Sequence, residues 1–281
     1  MYSWDLFAFW LKDEGIARIR SSGLAKGSPF LAQAFPGYAV DVTFSNVYDD
    51  AERARAYAAL EFPGTYYLAY RDLPAIFAQH VSGRRALDFG CGAGRSTRFL
   101  ANLGFNAVGI DISASMIDLA AKADPNGSYR LVVDGDFNHF ARGSFDLIFS
   151  AFAFDNIPNV AKRGVLLRGL RELLTENGRI ILLGSTPDIY RNEWASFTTR
   201  DFPENRKAKS GETVRIVMKD VADARPVIDI VWSHQDYLEL FAASGLHLIA
   251  HHTPLGRADE PYGWLSETLI APWFIYVLAK Q

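Results

Sequence analysis

Three glycines stand at alternate positions in the segment LDFGCGAGRS, which runs from Leu87 to Ser96. The apolar residues before Gly90 predict a buried strand, and the residues after Gly94 predict a helix, so the glycines form the turn between them. Because glycine has no Cβ, its backbone can pass within contact distance of a ligand. The first turn of the helix directs free N–H groups at the same place. The segment therefore predicts a ligand site at the carboxyl edge of a parallel sheet.

Two acidic residues accompany this turn. Asp88 precedes Gly90 by two positions, and Asp111 ends the next apolar run about twenty residues further on. A carboxylate at the end of the second strand can accept hydrogen bonds from the hydroxyl groups of a ribose. The turn and the two acids together indicate a cofactor that carries a nucleoside.

Strands and helices alternate regularly after Arg85, which predicts an α/β fold with a doubly wound, mostly parallel sheet. Polar loops and alternating runs interrupt this order after the fifth strand. The predicted strands are Ala86–Phe89, Asn106–Ile110, Tyr129–Val133, Phe145–Phe149, Arg179–Leu183, Leu246–His252 and Phe274–Leu278, and the predicted helices are Gly94–Asn102, Ala114–Lys122, Ala161–Leu174 and Gln235–Ser244.

The same pattern predicts three regions. Residues 1–80 form an N-terminal helical cap or lid, and residues 81–187 and 233–281 form the core. Residues 188–232 form an inserted cap with a hairpin made of Glu212–Met218 and Val227–Trp232. The first helix has a broad apolar face, which predicts either a lid over the substrate or a contact with a second subunit; it carries Tyr2, Trp4, Phe7, Phe9, Trp10 and Leu11.

Composition restricts the class of protein. The formal net charge is −3 and the chain has no run of Lys or Arg, which argues against a nucleic-acid partner. A single cysteine, Cys91, excludes an internal disulfide framework and fits a reducing compartment. The sequence has neither a basic leader nor an apolar run long enough to span a membrane. We therefore expect a cytoplasmic protein without a membrane partner.

The spacing of the glycines distinguishes two kinds of cofactor site. A dinucleotide fingerprint, G-x-G-x-x-G, would place its third glycine at Arg95, whereas this chain has it at Gly94. The segment from Asp88 to Arg95 instead resembles the first motif of class I S-adenosylmethionine-dependent methyltransferases. Further segments resemble the later motifs of this family in the same order; they are Val108–Ser113, Asp134–Phe137, Ser144–Ser150 and Leu174–Arg179. The resemblance is close over residues 85–185 and looser over 233–280. The family members that the chain resembles are small-molecule methyltransferases of the natural-product-tailoring type.

The resemblance implies a Rossmann-like sheet of seven strands and S-adenosyl-L-methionine as cofactor, with S-adenosyl-L-homocysteine as its product. It implies that Asp111 holds both ribose hydroxyl groups and that Asp136, or the nearby Asp134, accepts a hydrogen bond from the adenine. The implied cofactor-binding residues are Asp88, Gly90, Cys91, Gly92, Gly94, Arg95, Asp111, Ile112, Met116, Asp136, Phe137, Ser150 and Tyr67.

The acceptor of the methyl group is expected beyond the carboxyl ends of strands four and five, under both caps. Aromatic residues there predict a small apolar or aromatic metabolite. The expected pocket residues are Tyr66, Phe152, Phe154, Trp194, Trp232 and Trp264. We expect the methyl group to be transferred by in-line displacement. Whether the methylated atom is oxygen, nitrogen or carbon is left open.

His234 and Asp155 are the polar residues that could act as a base, although a plain role at the N-terminus of a helix explains His234 better. Many members of the family have a histidine near position 156, where this chain has Asn156. We expect no metal, because His251 and His252 are neighbours in a strand and point to opposite faces.

Three alternatives follow from the same residues. The glycine turn also occurs in nicotinamide-dependent oxidoreductases, against which the displaced third glycine argues. A member of the family could instead bind the cofactor without transferring its methyl group, as a cyclase would. A binding or scaffold protein that assembles through its N-terminal helix is a third reading.

Overall fold

The structure is a computed structural model that describes residues 50–281 apart from residues 59, 61 and 158. A seven-stranded sheet and a three-stranded sheet form its framework. The strands are β1 (Arg85–Phe89), β2 (Asn106–Asp111), β3 (Ser128–Leu131), β4 (Phe145–Ala151), β5 (Leu174–Ser185), β6 (Phe197–Thr198), β7 (Thr213–Met218), β8 (Val227–Ile230), β9 (Leu246–His252) and β10 (Trp273–Lys280).

The large sheet has the strand order β3-β2-β1-β4-β5-β10-β9, in which β10 is antiparallel to both of its neighbours and the other adjacent pairs are parallel. The predicted seven-stranded, mostly parallel sheet is thus confirmed. The chain runs outward from β1 to β3 and then returns to the other side of β1 as β4. Such a reversal opens a crevice at the carboxyl ends of the strands on either side of it. The glycine turn after β1 lies at this reversal.

Strand β4 illustrates why the central strands were recognisable in the sequence. Its residues Leu147, Ile148 and Phe149 are fully buried, because helices cover both faces of a parallel sheet.

Strand β5 starts earlier than predicted, at Leu174. An irregularity in its pairing with β4 lets Leu174 lie opposite Phe145. The residues from Leu174 to Gly178, which the prediction left outside the strand, therefore belong to β5.

Seven helices lie within the described part of the chain: α1 (Ala51–Ala58), α2 (Thr65–Arg71), α3 (Leu73–His80), α4 (Arg95–Asn102), α5 (Ala114–Ala123), α6 (Val160–Leu173) and α7 (His234–Ala243). Side chains cap several of them: the Ser113 hydroxyl, at the start of α5, accepts a hydrogen bond from the N–H of Met116. Asn159 and Ser233 cap α6 and α7 in the same way.

Helices α2 and α3 pack directly on the large sheet. The rings of Tyr70 and Phe77 lie 6.4 and 5.6 Å from the ring of Phe149 on β4. Residues 65–80 therefore share the main hydrophobic core, although the sequence interpretation assigned them to a separate cap. The aromatic N-terminal helix of that cap, for which either a lid or a subunit contact was expected, lies outside the described residues.

A buried carboxylate ties α2 to the segment after β5. Glu267 is fully buried and accepts hydrogen bonds at Oε1 from the Thr65 hydroxyl (2.6 Å) and the Ala195 N–H (2.7 Å). The Thr65 N–H in turn donates to the Ser196 hydroxyl at 3.0 Å. These contacts hold the start of α2 against the chain that leads into the small sheet.

Strands β6, β7 and β8 form the small sheet within residues 188–232. Asn205 anchors it, since its side-chain amide donates to the carbonyl groups of Tyr190 and Arg215 and accepts from the Arg215 N–H. Among the described residues, no helix has the length and apolar character required to cross a membrane.

Candidate active site

The glycine turn follows β1 and begins α4. Gly90, Gly92 and Gly94 have φ angles of 71°, 53° and 79°, a left-handed conformation that favours glycine. A Cβ on Gly90 would lie 2.4 Å from the Cβ of Ala153. Any larger residue at Gly90 would therefore displace the turn that follows β4.

Asp111, at the end of β2, is bound to the same turn. Its Oδ2 accepts a hydrogen bond from the Gly92 N–H and its Oδ1 from the Ser113 N–H, both at 2.8 Å. These bonds fix the orientation of the carboxylate beside the glycine turn.

Asp88 lies beneath the turn and is fully buried. Its Oδ2 accepts hydrogen bonds from the hydroxyl groups of Ser96 (2.7 Å) and Thr97 (2.6 Å) on α4. Its Oδ1 has no hydrogen-bond partner among the described residues. Burial raises the pKa of Asp88 to about 6, against the opposing effect of the two hydroxyl groups. A cationic group above this carboxylate would relieve that cost.

A cavity of about 380 Å³ lies above the turn. Burial raises the pKa of the Cys91 thiol well above its usual value, so this cysteine forms part of the wall as a neutral group. The cavity is lined by Ala58, Tyr70, Gly90, Cys91, Gly92, Ala93, Arg95, Ser96, Ala151 and Phe152.

Arg95, on the first turn of α4, is held in an aromatic cage. Its guanidinium carbon lies 5.0, 5.2 and 5.8 Å from the ring centres of Phe62, Tyr66 and Tyr70. One of its N–H groups also donates to the Leu60 carbonyl at 3.2 Å. Rings at these distances stabilise the cation and fix it beside the cavity.

A second cavity, of about 430 Å³, lies between the ends of β4 and β5 and the small sheet. Its apolar walls include Tyr66, Phe197, Met218 and Trp273, and its polar walls are Asp155, Asn156, Ser185, Tyr190 and Asp229. We call it the acceptor-side cavity, and we call the first one the cofactor-side cavity.

Phe152 lines both cavities. It is the one non-glycine residue among those described with a positive φ, at 63°. That conformation costs an ordinary residue about 1–2 kcal/mol. The ring packs on Trp273 and Tyr66, with centre-to-centre distances of 4.9 and 5.9 Å. These contacts keep an aromatic wall where the two cavities meet.

Comparison with known proteins identifies the family. A methyltransferase-domain family model matches residues 87–182. The N-demethylindolmycin N-methyltransferase of Streptomyces griseus is 26% identical over 215 residues, which are 75% of this chain and 90% of that protein. An uncharacterized methyltransferase of Bacillus licheniformis is 31% identical over 156 residues, which are 54% of this chain and 67% of that protein.

This chain belongs to the class I S-adenosylmethionine-dependent methyltransferases. A solved structure of a putative S-adenosylmethionine-dependent methyltransferase from Listeria monocytogenes has the same fold, with a TM-score of 0.56 at 16% identity. It aligns over 76% of this chain and 97% of its own. The cofactor of the methyltransferase is S-adenosylmethionine. The resemblance that the sequence motifs suggested is confirmed.

The residues around the turn fit this cofactor. Asp111 would present an oriented carboxylate to the ribose, and the glycine backbone leaves room that a Cβ would fill. The unpartnered, buried Oδ1 of Asp88 would supply negative charge for the ammonium group of the methionine moiety. Of the residues implied by the resemblance, Gly90, Cys91, Gly92 and Arg95 line the cofactor-side cavity of the methyltransferase.

Other residues implied by the resemblance do not line this cavity. Met116 is buried behind Gly92, whereas Ile112 is 40% exposed. Asp136 accepts a hydrogen bond from the Asn138 N–H. The Phe137 ring packs on Gly169 of α6.

The last three are also placed elsewhere. Gly94 faces the ring of Tyr129, and Tyr67 packs on Tyr262 at 5.0 Å. The Ser150 hydroxyl is buried without a partner in the described part of the chain. Tyr70, one helical turn after Tyr66, takes the place at the cavity that the prediction gave to Tyr67, because α2 turns the Tyr66 and Tyr70 face inward.

Of the six residues expected around the acceptor, Tyr66 and Phe152 line the acceptor-side cavity. The four others pack in the protein interior or at the surface, because each has a structural partner there. Phe154 packs on Phe89, the Trp194 indole donates to the Ile189 carbonyl, Trp232 contacts the Arg163 guanidinium, and the Trp264 indole donates to the Arg257 carbonyl.

The two residues considered as bases lie in different surroundings. Asp155 lines the acceptor-side cavity, where its Oδ2 accepts a hydrogen bond from the Ser185 N–H at 3.1 Å. His234 lines neither cavity: it is exposed, its Nδ1 lies 2.6 Å from the Tyr276 hydroxyl, and its ring stacks on His251. His234 therefore lies where a residue at the start of α7 is expected, and of the two residues considered as bases only Asp155 lines a cavity.

Four polar residues of the acceptor-side cavity were missed: Asn156, Ser185, Tyr190 and Asp229. Asp229 lies on β8, and the Tyr190 hydroxyl donates a hydrogen bond to its Oδ2 at 3.1 Å. The sequence did carry a signal: in the alternating run from Val227 to Val231, Asp229 occupies an inward position between two buried valines. An acid at such a position is unusual enough to mark a site.

Proposed function

We propose that this methyltransferase methylates a small, largely apolar or aromatic molecule bound in the acceptor-side cavity. The observation that carries the proposal is that one side chain, Phe152, lines both cavities. An acceptor held by the aromatic walls would therefore lie next to the cofactor. The relative named N-demethylindolmycin N-methyltransferase acts, by its name, on a small molecule, which supports an acceptor of that kind.

The cofactor supplies a methyl group that is already activated by a sulfonium, so the task of the protein is alignment. Holding the acceptor in line with the bond that breaks can contribute roughly 7–11 kcal/mol. Tyr66, Phe152 and Trp273 would orient a planar acceptor, and their apolar surface would exclude water. Asp88, Asp111 and the glycine backbone would hold the cofactor.

The small sheet gives the acceptor-side cavity its outer wall, through Ile216, Met218 and Val227. Residues 188–232 thus act as a substrate cap in this proposal. A place in secondary metabolism and a cytoplasmic location belong to the same proposal; the named relative supports the first and the lone buried cysteine the second.

Calorimetry with S-adenosylhomocysteine, beside reduced nicotinamide cofactor, tests the cofactor side. We expect binding of S-adenosylhomocysteine alone. Incubation with deuteromethyl-labelled cofactor and a panel of small aromatic acceptors, followed by mass spectrometry, tests the reaction. A labelled methyl group on a product supports methyl transfer, whereas an unlabelled rearranged product would show a non-methylating member of the family.

A further inference from the structure

Two carboxyl groups face the acceptor-side cavity from different parts of the chain. Asp155 belongs to a single turn of 3₁₀ helix, Ala153–Asn156, that follows β4, and Asp229 belongs to β8 of the small sheet. Their residues are 5% and 7% exposed, and both line the cavity. We call them the carboxyl pair.

The polar contacts of Asp229 are incomplete. Its Oδ2 accepts the hydrogen bond from Tyr190, while its Oδ1 has no hydrogen-bond partner in the described part of the chain. That second oxygen is not among the fully buried side-chain atoms that lack a partner, so it reaches the open space of the cavity, where a ligand can donate a hydrogen bond to it. Because Asp229 lines the cavity, a bound acceptor can do so.

No Lys, Arg or His lines the cavity within the described residues. Arg163 on α6 is fully buried and acts electrostatically on both carboxyl groups, but its hydrogen bonds go to other groups. Its Nε donates to the Ile157 carbonyl at 2.7 Å, its Nη1 donates to the Tyr237 hydroxyl at 3.2 Å, and its guanidinium lies over the Trp232 ring at 4.4 Å. The cavity therefore has an excess of acidic groups.

Electrostatics agree with this excess. Burial is the main cause that raises the pKa of both Asp155 and Asp229. The charge of Asp155 raises the pKa of Asp229 further, and the charges of both carboxyl groups raise the pKa of Tyr190. The groups that face Asp229 are Asp155 from the turn after β4, Tyr190 from the turn after β5, Arg163 from α6 and Tyr237 from α7. Arg163 opposes the shift but does not cancel it.

We propose that the carboxyl pair selects an acceptor with a protonated amine and takes up the proton that this nitrogen loses before methyl transfer. The inference rests on the proposed function and adds the acceptor class to it. Arg163 provides one positive charge for two carboxyl groups, so a neutral hydroxyl acceptor would leave the excess negative charge uncompensated, whereas an ammonium group supplies a second positive charge and N–H donors.

The proton and the electrons balance in this step. One N–H proton of the bound ammonium passes to a carboxylate of the pair, which frees the nitrogen lone pair. The nitrogen then forms a bond to the methyl carbon as the carbon–sulfur bond breaks, and the electrons of that bond stay on sulfur. The positive charge moves from sulfur to the product nitrogen, and the carboxyl proton leaves to solvent.

A matched pair of ligands tests the selection. Phenethylamine and 2-phenylethanol share one carbon frame and differ in the terminal group. Their binding to the full chain saturated with S-adenosylhomocysteine is measured by calorimetry at neutral pH. We expect the amine to bind at least about tenfold more tightly, as one charge-assisted hydrogen bond would supply. Equal binding, tighter binding of the alcohol, or no binding of the amine would overturn the proposal.

Variants assign the preference to Asp229. Asp229→Asn keeps the shape and an acceptor for Tyr190, and we expect it to remove the preference for the amine while binding S-adenosylhomocysteine as the native chain does. Asp188→Asn, at an exposed aspartate in the neighbouring turn, is the control and should keep the preference. A preference that survives in Asp229→Asn would refute the role of the pair.

The proton provides an independent readout. Burial and the charge of Asp155 raise the pKa of Asp229 in the free protein above its usual value. An ammonium ligand lowers that pKa, so at the pH where the free carboxyl pair titrates, binding releases a proton, and the measured heat of binding depends on the ionisation enthalpy of the buffer. Heats that are equal in buffers of different ionisation enthalpy at every pH from about 5 to 8 would contradict the proposal. If the native chain does not bind S-adenosylhomocysteine, the proposed function itself is contradicted.

Discussion

The backbone N–H of Gly92 donates a hydrogen bond of 2.8 Å to Oδ2 of Asp111. This bond joins the end of β2 to the turn after β1, whose residues line the cofactor-side cavity. It also orients the Asp111 carboxylate before any ligand binds, and such preorganisation lowers the cost of binding.

Replacement of Asp111 by alanine should weaken cofactor binding. We expect the binding free energy to fall by roughly 1.5–3 kcal/mol, the usual contribution of hydrogen bonds to a charged group. Calorimetry with S-adenosylhomocysteine measures the loss. Asp118→Ala, at an exposed aspartate on α5, is the matched control and should bind normally. An unchanged affinity in Asp111→Ala would mean that the ribose lies elsewhere.

Cofactor binding should weaken as the pH falls through about 6, where the buried Asp88 takes up a proton. The sign follows from charge: the ionised carboxylate attracts the ammonium group of the cofactor, and the neutral acid does not. Dissociation constants for S-adenosylhomocysteine between about pH 5 and 8 measure this dependence.

Asp88→Asn should flatten that pH profile, because the amide keeps the hydrogen bonds to Ser96 and Thr97 but carries no charge. Asp118→Asn again serves as the control and should retain the native profile. The same profile in Asp88→Asn and in the native chain would show that another group is responsible.

The left-handed backbone of Phe152 gives a prediction on stability. Phe152→Ala and Phe152→Gly lose the same ring contacts, but glycine adopts a φ of 63° without strain. The glycine variant should therefore be more stable than the alanine variant by about 1 kcal/mol. Chemical denaturation compares the two.

A neighbouring position provides the control for this comparison. Ala151 is the last residue of β4, and glycine there should destabilise the fold by roughly 0.5–1 kcal/mol. If alanine at position 152 were as stable as glycine, the backbone strain assigned to Phe152 would be absent.

Replacement of Glu267 by alanine should destabilise the fold. It would leave three donors without their acceptor: the Thr65 hydroxyl and the N–H groups of Ala195 and Leu265. Buried unsatisfied donors cost about 1–3 kcal/mol each in the absence of water. Thermal denaturation should show a clear drop in melting temperature, whereas Glu176→Ala, at an exposed site on β5, should not. A native melting temperature in Glu267→Ala would show that water replaces the carboxylate.

Much of the cofactor side was predictable because its signals are local. Glycine spacing, an acid at the end of β2 and apolar strand runs each depend on a few neighbouring residues. Individual contacts were less predictable: Tyr70 rather than Tyr67 lies at the cavity, and Phe137 packs on α6. Which face of a short helix or loop turns inward depends on what covers it, and periodicity alone does not supply that information.

The sequence by itself determined the α/β sheet, the glycine turn and the cofactor class, since strand and turn preferences follow from backbone sterics and local hydrophobic pattern. Only the tertiary structure decided the acceptor side. Asp155 and Asp229 are far apart in the chain, and they face one cavity because the small sheet packs over the ends of β4 and β5. His234 is excluded from it because α7 starts at the surface. Which distant side chains share a cavity is set by the packing of whole elements, which no local pattern encodes.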